Sequence, residues 1–170
     1  MGKREVLICD VDGQFAERLA SGFGYLGWTV HRAYDESEAA YRLLIWYNPA
    51  ELPELAILNL REASELLEFC SLLKDEGIPA LLTVIVLLDE LDEAARGTAE
   101  NFEQLGVIPI VKSDNPWPLI KAVMDRQGSS ADRQRLDDHD TELRNHFDRS
   151  SQSKDRGSVR ASISRRSPAP

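Results

Sequence analysis

Asp10 and Asp12 stand two positions apart, directly after the apolar run Val6 to Cys9 and before Gly13. Two carboxylates so close in sequence can share a hard cation, or can divide the work of attacking a phosphorus atom and protonating its leaving group. The second task calls for a positive neighbour, because phosphoryl oxygens carry charge that must be neutralised. Lys112, which follows the apolar run Val107 to Val111, is the candidate ammonium. Asn59 and Asp89 sit at the ends of two further apolar stretches, 55–60 and 83–88. Whether these residues form one site depends on the elements that carry them.

The run 6–9 has no alternation and reads as a buried strand opening into a loop. Phe15, Leu19, Phe23 and Leu26 then recur at helical spacing, with Gly27 as the stop. Trp28 to Ala33 alternates apolar and polar residues as a half-buried strand does, and Asp35 or Ser37 can cap a helix with Ala40, Leu43 and Leu44 on its apolar face. After a loop around Asn48, Pro49 and Pro53, Leu55 to Leu60 predicts a central strand buried on both faces. Leu66 to Leu73 predicts an amphipathic helix ended by Gly77 and Pro79. Thr83 to Leu88, Leu91 to Leu105 and Val107 to Val111 predict strand, helix and strand. Asn115 or Asp114 caps a last helix carrying Trp117, Leu119, Ile120 and Val123. Five strands alternating with five helices predict an α/β domain, a doubly wound five-stranded parallel sheet, because each parallel crossover needs a connecting helix. Sites in such sheets form beyond the carboxyl ends of the strands, so Asp10, Asp12, Asn59, Asp89 and Lys112 are expected at one rim.

The chain has 170 residues, enough for one domain of roughly 100–150 residues and a remainder. From Gly128 onward the hydrophobic period fades, which predicts a domain over 1–128 and a disordered, charged, Ser- and Arg-rich tail over 129–170. A formal charge of −9 argues against a general nucleic-acid binder, which would need a basic field. That charge is uneven: residues 149–170 carry six Lys and Arg against Asp155 alone, about +5, leaving about −14 for the rest. Cys9 and Cys70 are too few and too far apart for a disulfide framework or a zinc site and read as buried small hydrophobes. His31, His139 and His146 form no nucleophile or metal pattern, and Trp28, Trp46, Tyr47 and Trp117 form no platform for stacking bases. Trp28 and Trp117 read as packing residues, and Trp46 and Tyr47 as a cover for the sheet edge. No signal peptide, lipid anchor or spanning helix is legible, so a cytoplasmic protein is expected.

The order VLICDVDG, GYLGWTVHRAYDESEAAYRLL, LPELAILNL, GIPALLTVIVLL and VIPIVKSDNPWPLIKAV resembles the bacterial response-regulator receiver domain from residue 4 to about 127. In active members of that family the first strand ends in two acids that hold Mg²⁺, the third in a phosphoacceptor Asp, the fourth in Ser or Thr and the fifth in Lys. The resemblance places Asp10 at the first acid and Lys112 at the lysine, while Val11 stands where the second acid belongs and Asn59 at the phosphoacceptor. An amide cannot become an aspartyl phosphate. The switch hydroxyl position falls at Leu88 or Asp89, Pro109 lies near the usual switch aromatic, and Ser113 replaces the proline that commonly follows the lysine. The implied protein is a degenerate, stand-alone receiver, a pseudo-receiver of two-component type that signals by protein contact and is not an enzyme. No cofactor is expected, beyond weak Mg²⁺ binding by Asp10 and Asp12. Without phosphate, Lys112 could instead neutralise Asp10 or donate to Asn59, tying strand ends together.

The family's usual partner and dimer surface, carried over, spans about Leu91 to Gln127. Its acids and neighbours Glu90, Asp92, Glu93, Glu100 and Glu103, with Pro109 and Trp117, imply a basic protein partner or a homodimer, with no nucleic acid and no membrane insertion. A rival reading is enzymatic, since LICDVDG also resembles the first motif of haloacid-dehalogenase-type Mg²⁺-dependent phosphatases. There Asp10 would attack phosphate, Asp12 would protonate the leaving group and Lys112 would steady the charge. Gln14 departs from that motif, and the later acids Asp137, Asp138 and Asp140 follow no apolar strand. A third reading keeps the receiver but lets it sense Mg²⁺ or phosphate without covalent chemistry.

Overall fold

The computed structural model describes residues 4–45, 48, 50–89 and 93–127, so the expected tail over 129–170, Trp46 and Tyr47 lie outside the described residues. Strand β1 (Glu5–Asp10) leads to helix α1 (Gly13–Tyr25), β2 (Thr29–Ala33) to α2 (Glu36–Ala40), and β3 (Leu55–Asn59) to α3 (Ala63–Asp75). Strand β4 (Thr83–Leu88), helix α4 (Glu93–Gln104), β5 (Ile108–Val111) and α5 (Trp117–Gln127) complete the order. The five strands form one sheet in the order β2-β1-β3-β4-β5, every neighbouring pair parallel. This is the doubly wound α/β architecture expected from the alternation of runs.

Burial follows strand position. Strand β3, at the centre, is buried at every residue, whereas edge strand β2 is buried only at Ala33. Alternate residues share a face, and one face carries Leu7, Cys9, Ala56, Leu58, Val84 and Val86. Against it pack Ala39 and Leu43, then Leu66, Phe69 and Leu73 of α3, and Phe102 of α4. Val6, Ile8, Leu55, Ile57, Ile85 and Leu87 alternate with these, are equally buried, and face the opposite way. Helices α1 and α5 touch each other and contribute Phe15, Leu19, Phe23, Ile120 and Val123 to the buried set.

Local chemistry sets the element ends. Asp35 Oδ1 accepts from the Glu38 amide at 2.8 Å, which selects Asp35 over Ser37 as the cap of α2. That helix continues as a π-helical turn, Tyr41–Ile45, a feature with no signature in the apolar spacing. Asn115 Oδ1 accepts from the Trp117 amide at 3.0 Å and starts α5, so Asn115, not Asp114, is the cap. Helix α1 stops at Tyr25 with Leu26 as its C-cap, and Gly27 beyond it, whose φ of 82° lies in the left-handed region, lets the Trp28 amide reach back to the Phe23 carbonyl at 3.0 Å. Trp28 is itself buried, its ring edge-on to Phe23 at 5.5 Å between centroids, and Trp117 is buried as well, so both are packing residues.

On edge strand β5, Pro109 pairs with Val86. The Lys112 amide donates to the Leu88 carbonyl at 2.7 Å, so by alternation Ile110 also turns its N–H toward β4 and Pro109 turns its nitrogen outward. Proline is tolerated there because no strand among the described residues lies on that side to want its missing donor. No helix among the described residues is long and apolar enough to cross a membrane.

Candidate functional site

Strand register explains why residues far apart in sequence meet. Asp10 pairs with Asn59 across β1 and β3, and both share the parity of Ile8 and Ile57, so their side chains leave the same face at the carboxyl rim. Ile108 and Ile110 pair with Ile85 and Leu87, which carries that face across to β5, and Lys112 continues the same parity one residue past the strand. Leu88, paired with Val111, faces the other way and lies in the hydrophobic cluster with α3 and α4, so it offers the rim nothing. Asp89 is exposed beyond the end of β4.

The centre of the rim is Asp10, its side chain 1% exposed. Its Oδ1 accepts three times: from the Asp12 amide at 2.8 Å, from Lys112 Nζ at 3.1 Å and from Asn59 Nδ2 at 3.4 Å. Asn59 is itself buried, and a carboxylate acceptor can be met only by the N–H end of its amide. Lys112 therefore neutralises Asp10, while Asn59 donates to the same oxygen and receives nothing from the lysine. Asp10 Oδ2 is buried and has no hydrogen-bond partner among the described residues. Burial pushes the Asp10 carboxyl above its ordinary value, and the Asp12 amide, the Lys112 charge and the Asn59 amide offset this only in part. The fold thus holds a carboxylate at some cost and compensates it from within.

Asp12 has a different task. Its Oδ1 accepts from the amides of Gln14 and Phe15, each at 3.1 Å, which makes it the N-cap of α1. The Phe15 amide holds its carboxyl below the ordinary range, with Lys112, the Gln14 amide and Arg18 adding in the same direction. Its other oxygen lies 3.8 Å from Lys112 Nζ. A carboxyl held ionised and spent on a helix end is poorly suited to protonating a leaving group, and the later acids of the phosphatase reading lie outside the described residues. Val11, which the receiver resemblance sets where a second acid is expected, is half exposed, and its side chain offers no oxygen.

One residue of the site escaped sequence reasoning. Phe15, read only as part of the apolar face of α1, presents its ring to Lys112 Nζ at 4.4 Å from the centroid. Its position three residues after the capping Asp12 was the available signal, since the first inward residue of α1 must lie under the rim. The ammonium is thus enclosed by two carboxylates and a π face, with its side chain 13% exposed.

These residues do not fit a divalent cation. The ammonium lies where an ion shared by Asp10 and Asp12 would have to sit, one oxygen of Asp12 is committed to the cap, and Asn59 aims a donor inward. Among the described residues no group of three or more His, Cys, Asp or Glu side chains could hold a metal ion.

Of the expected partner surface, Glu100 and Glu103 are exposed on α4 and Pro109 is half-buried on β5. Trp117 corrects that expectation. It is 4% exposed, because the first turn of α5 directs it inward with Ile120, and it belongs to the core rather than to a docking surface. Glu90 and Asp92 lie outside the described residues, and Glu93 opens α4.

No family model matches the chain, and no curated protein sequence does. Solved structures do. A response regulator from Thermotoga maritima superposes with a TM-score of 0.59 at 18% identity, over 73% of this chain and 97% of that one. An orphan response regulator of H. pylori gives 0.58 at 17% identity over 74% and 97%. A response regulator receiver protein from Pseudomonas putida gives 0.57 at 23% over 74% and 98%. At such identities the likeness establishes the fold: a receiver-like, flavodoxin-type α/β domain.

Proposed function

We propose that this chain is a signalling module of receiver fold that works without phosphorylation, through contact with a protein partner. The observation that carries the reading is Asn59. It ends β3 in register with Asp10, where the receiver resemblance puts a nucleophilic carboxylate, and its amide is spent on a hydrogen bond to Asp10. An amide nitrogen has no lone pair available for attack on phosphorus, and the neighbouring carboxylate is already compensated by Lys112. The solved neighbours named as response regulators support a role in two-component signalling. Exposed Glu100 and Glu103 on α4 favour a partner with a basic surface, met in the cytoplasm.

Two measurements test this. The full chain incubated with acetyl phosphate and Mg²⁺ should show no base-labile phosphate adduct by intact mass, and a stoichiometric adduct would overturn the reading. A partner captured by the wild type should be lost to the double variant Glu100→Lys, Glu103→Lys at unchanged melting temperature. Capture that ignores the charge reversal removes α4 from the interface.

A further inference from the structure

We propose that the Lys112 ammonium is a built-in replacement for the divalent cation that two carboxylates at this rim would otherwise take from solution. The inference rests on the reading above and goes beyond it by giving the lysine a task.

Lys112 Nζ lies 3.1 Å from Asp10 Oδ1 and 3.8 Å from Asp12 Oδ2, so any cation serving both acids must occupy the same few ångströms. The third wall of this space is the Phe15 ring, 4.4 Å away. A π face attracts an ammonium and accepts its methylene stem, but offers no oxygen to Mg²⁺, which wants six hard ligands at about 2.1 Å and gives up water reluctantly. The root of the side chain is fixed to the end of β4, because the Lys112 amide is bonded to the Leu88 carbonyl at 2.7 Å, and the ammonium itself is held by Asp10 and the Phe15 ring. An ion tethered in this way is present at every Mg²⁺ concentration. The charge of the rim is therefore constant, and the module answers neither to the metal nor to a ligand that needs the metal.

The test is a thermal melt of the full chain in MgCl₂ against NaCl of equal ionic strength. Wild type should not respond. Lys112→Met should melt lower without Mg²⁺ and then gain about 5 °C at a Mg²⁺ concentration about ten times its dissociation constant. Adding Asp10→Asn to that variant should erase the gain. Lys112→Gln, which keeps a hydrogen-bond donor without the charge, serves in the same way if the methionine variant does not fold. An independent measurement needs no variant: Mn²⁺ titrated into wild type should leave the amide resonances of residues 10–15 unbroadened.

A wild-type gain matching that of the variants, selective Mn²⁺ broadening at the rim, or absence of any response in folded Lys112 variants overturns the proposal. Metal binding by wild type with no phosphodonor adduct sinks this inference alone. An adduct sinks the functional reading beneath it.

Discussion

Replacing Asp12 separates a helix cap from a cation ligand or a general acid. Asp12→Ala removes the acceptor for the Gln14 and Phe15 amides, both at 3.1 Å, a loss of about 1 kcal/mol for an N-cap. It also removes the contact with Lys112 at 3.8 Å, and because the Asp12 side chain is 50% exposed that adds only about 0.3 kcal/mol. A fall of about 1.3 kcal/mol lowers the melting temperature of a domain of this size by about 5 °C. Asp12→Asn keeps an oxygen for the cap and gives up only the charge, so it should lose about 0.3 kcal/mol. Urea unfolding followed by tryptophan fluorescence suits the measurement, since Trp28 and Trp117 are buried. The pH dependence has a definite sign. The Asp12 carboxyl is held below its ordinary value of 3.8, so its stabilisation is complete above that pH and is lost as pH falls through the lower, folded value. The gap between wild type and Asp12→Ala should therefore narrow in acid. Equal losses in the Asn and Ala variants at neutral pH would refute the capping assignment.

Asn59→Asp places a second carboxylate beside buried Asp10, 3.4 Å from the present amide nitrogen, and should cost about 2–3 kcal/mol at pH 7. Both acids would then be raised, so the loss should shrink as pH falls through their folded values, and a pH-independent loss in urea titrations would exclude charge as its cause. Burial pushes the Cys9 and Cys70 thiols up to about 12, so neither should react with an aromatic disulfide reagent at pH 8 in the native state, and both should react in denaturant. Rapid native labelling of either would place it outside the core. Gly106→Ala forces a side chain onto a backbone with φ of 78°, with Pro79 Cβ at 3.4 Å, and should lower stability by about 1–2 kcal/mol in the same urea assay. An unchanged midpoint would show that the turn after α4 can rearrange.

The sheet was legible because central parallel strands must be apolar on both faces, and the runs at 55–60 and 83–88 betray themselves against β3 and β4 almost residue for residue. The strand ends place Asp10, Asn59 and Lys112 at one rim. What periodicity could not convey was detail set by side-chain direction. Apolar spacing around Leu43 predicts helix but not the π-helical turn, because the spacing of apolar residues reports helicity and not which carbonyl each amide bonds. Trp117 falls within the surface that the receiver resemblance carries over, while its apolar neighbours read it as packing, and its place in the first turn of α5 is inward. A carboxylate before a helix reads equally as a cation ligand or as a cap, and Asp12 caps α1. Phe15 and Lys112 were each understood alone, and their contact depends on a reach across two strands that no local pattern encodes.

The outward nitrogen of Pro109 bears on how copies of this molecule can assemble. A bare sheet edge is a template on which another strand can grow the ladder, and proteins with such edges risk fusing into continuous sheets. Strand β5 spans only Ile108–Val111, and proline interrupts the row of donors that an incoming strand would have to meet. Main-chain pairing along this side is therefore disfavoured. Side-chain recognition can discriminate between partners, whereas backbone recognition is largely blind to sequence. The same proline that interrupts the edge selects against the sequence-blind kind.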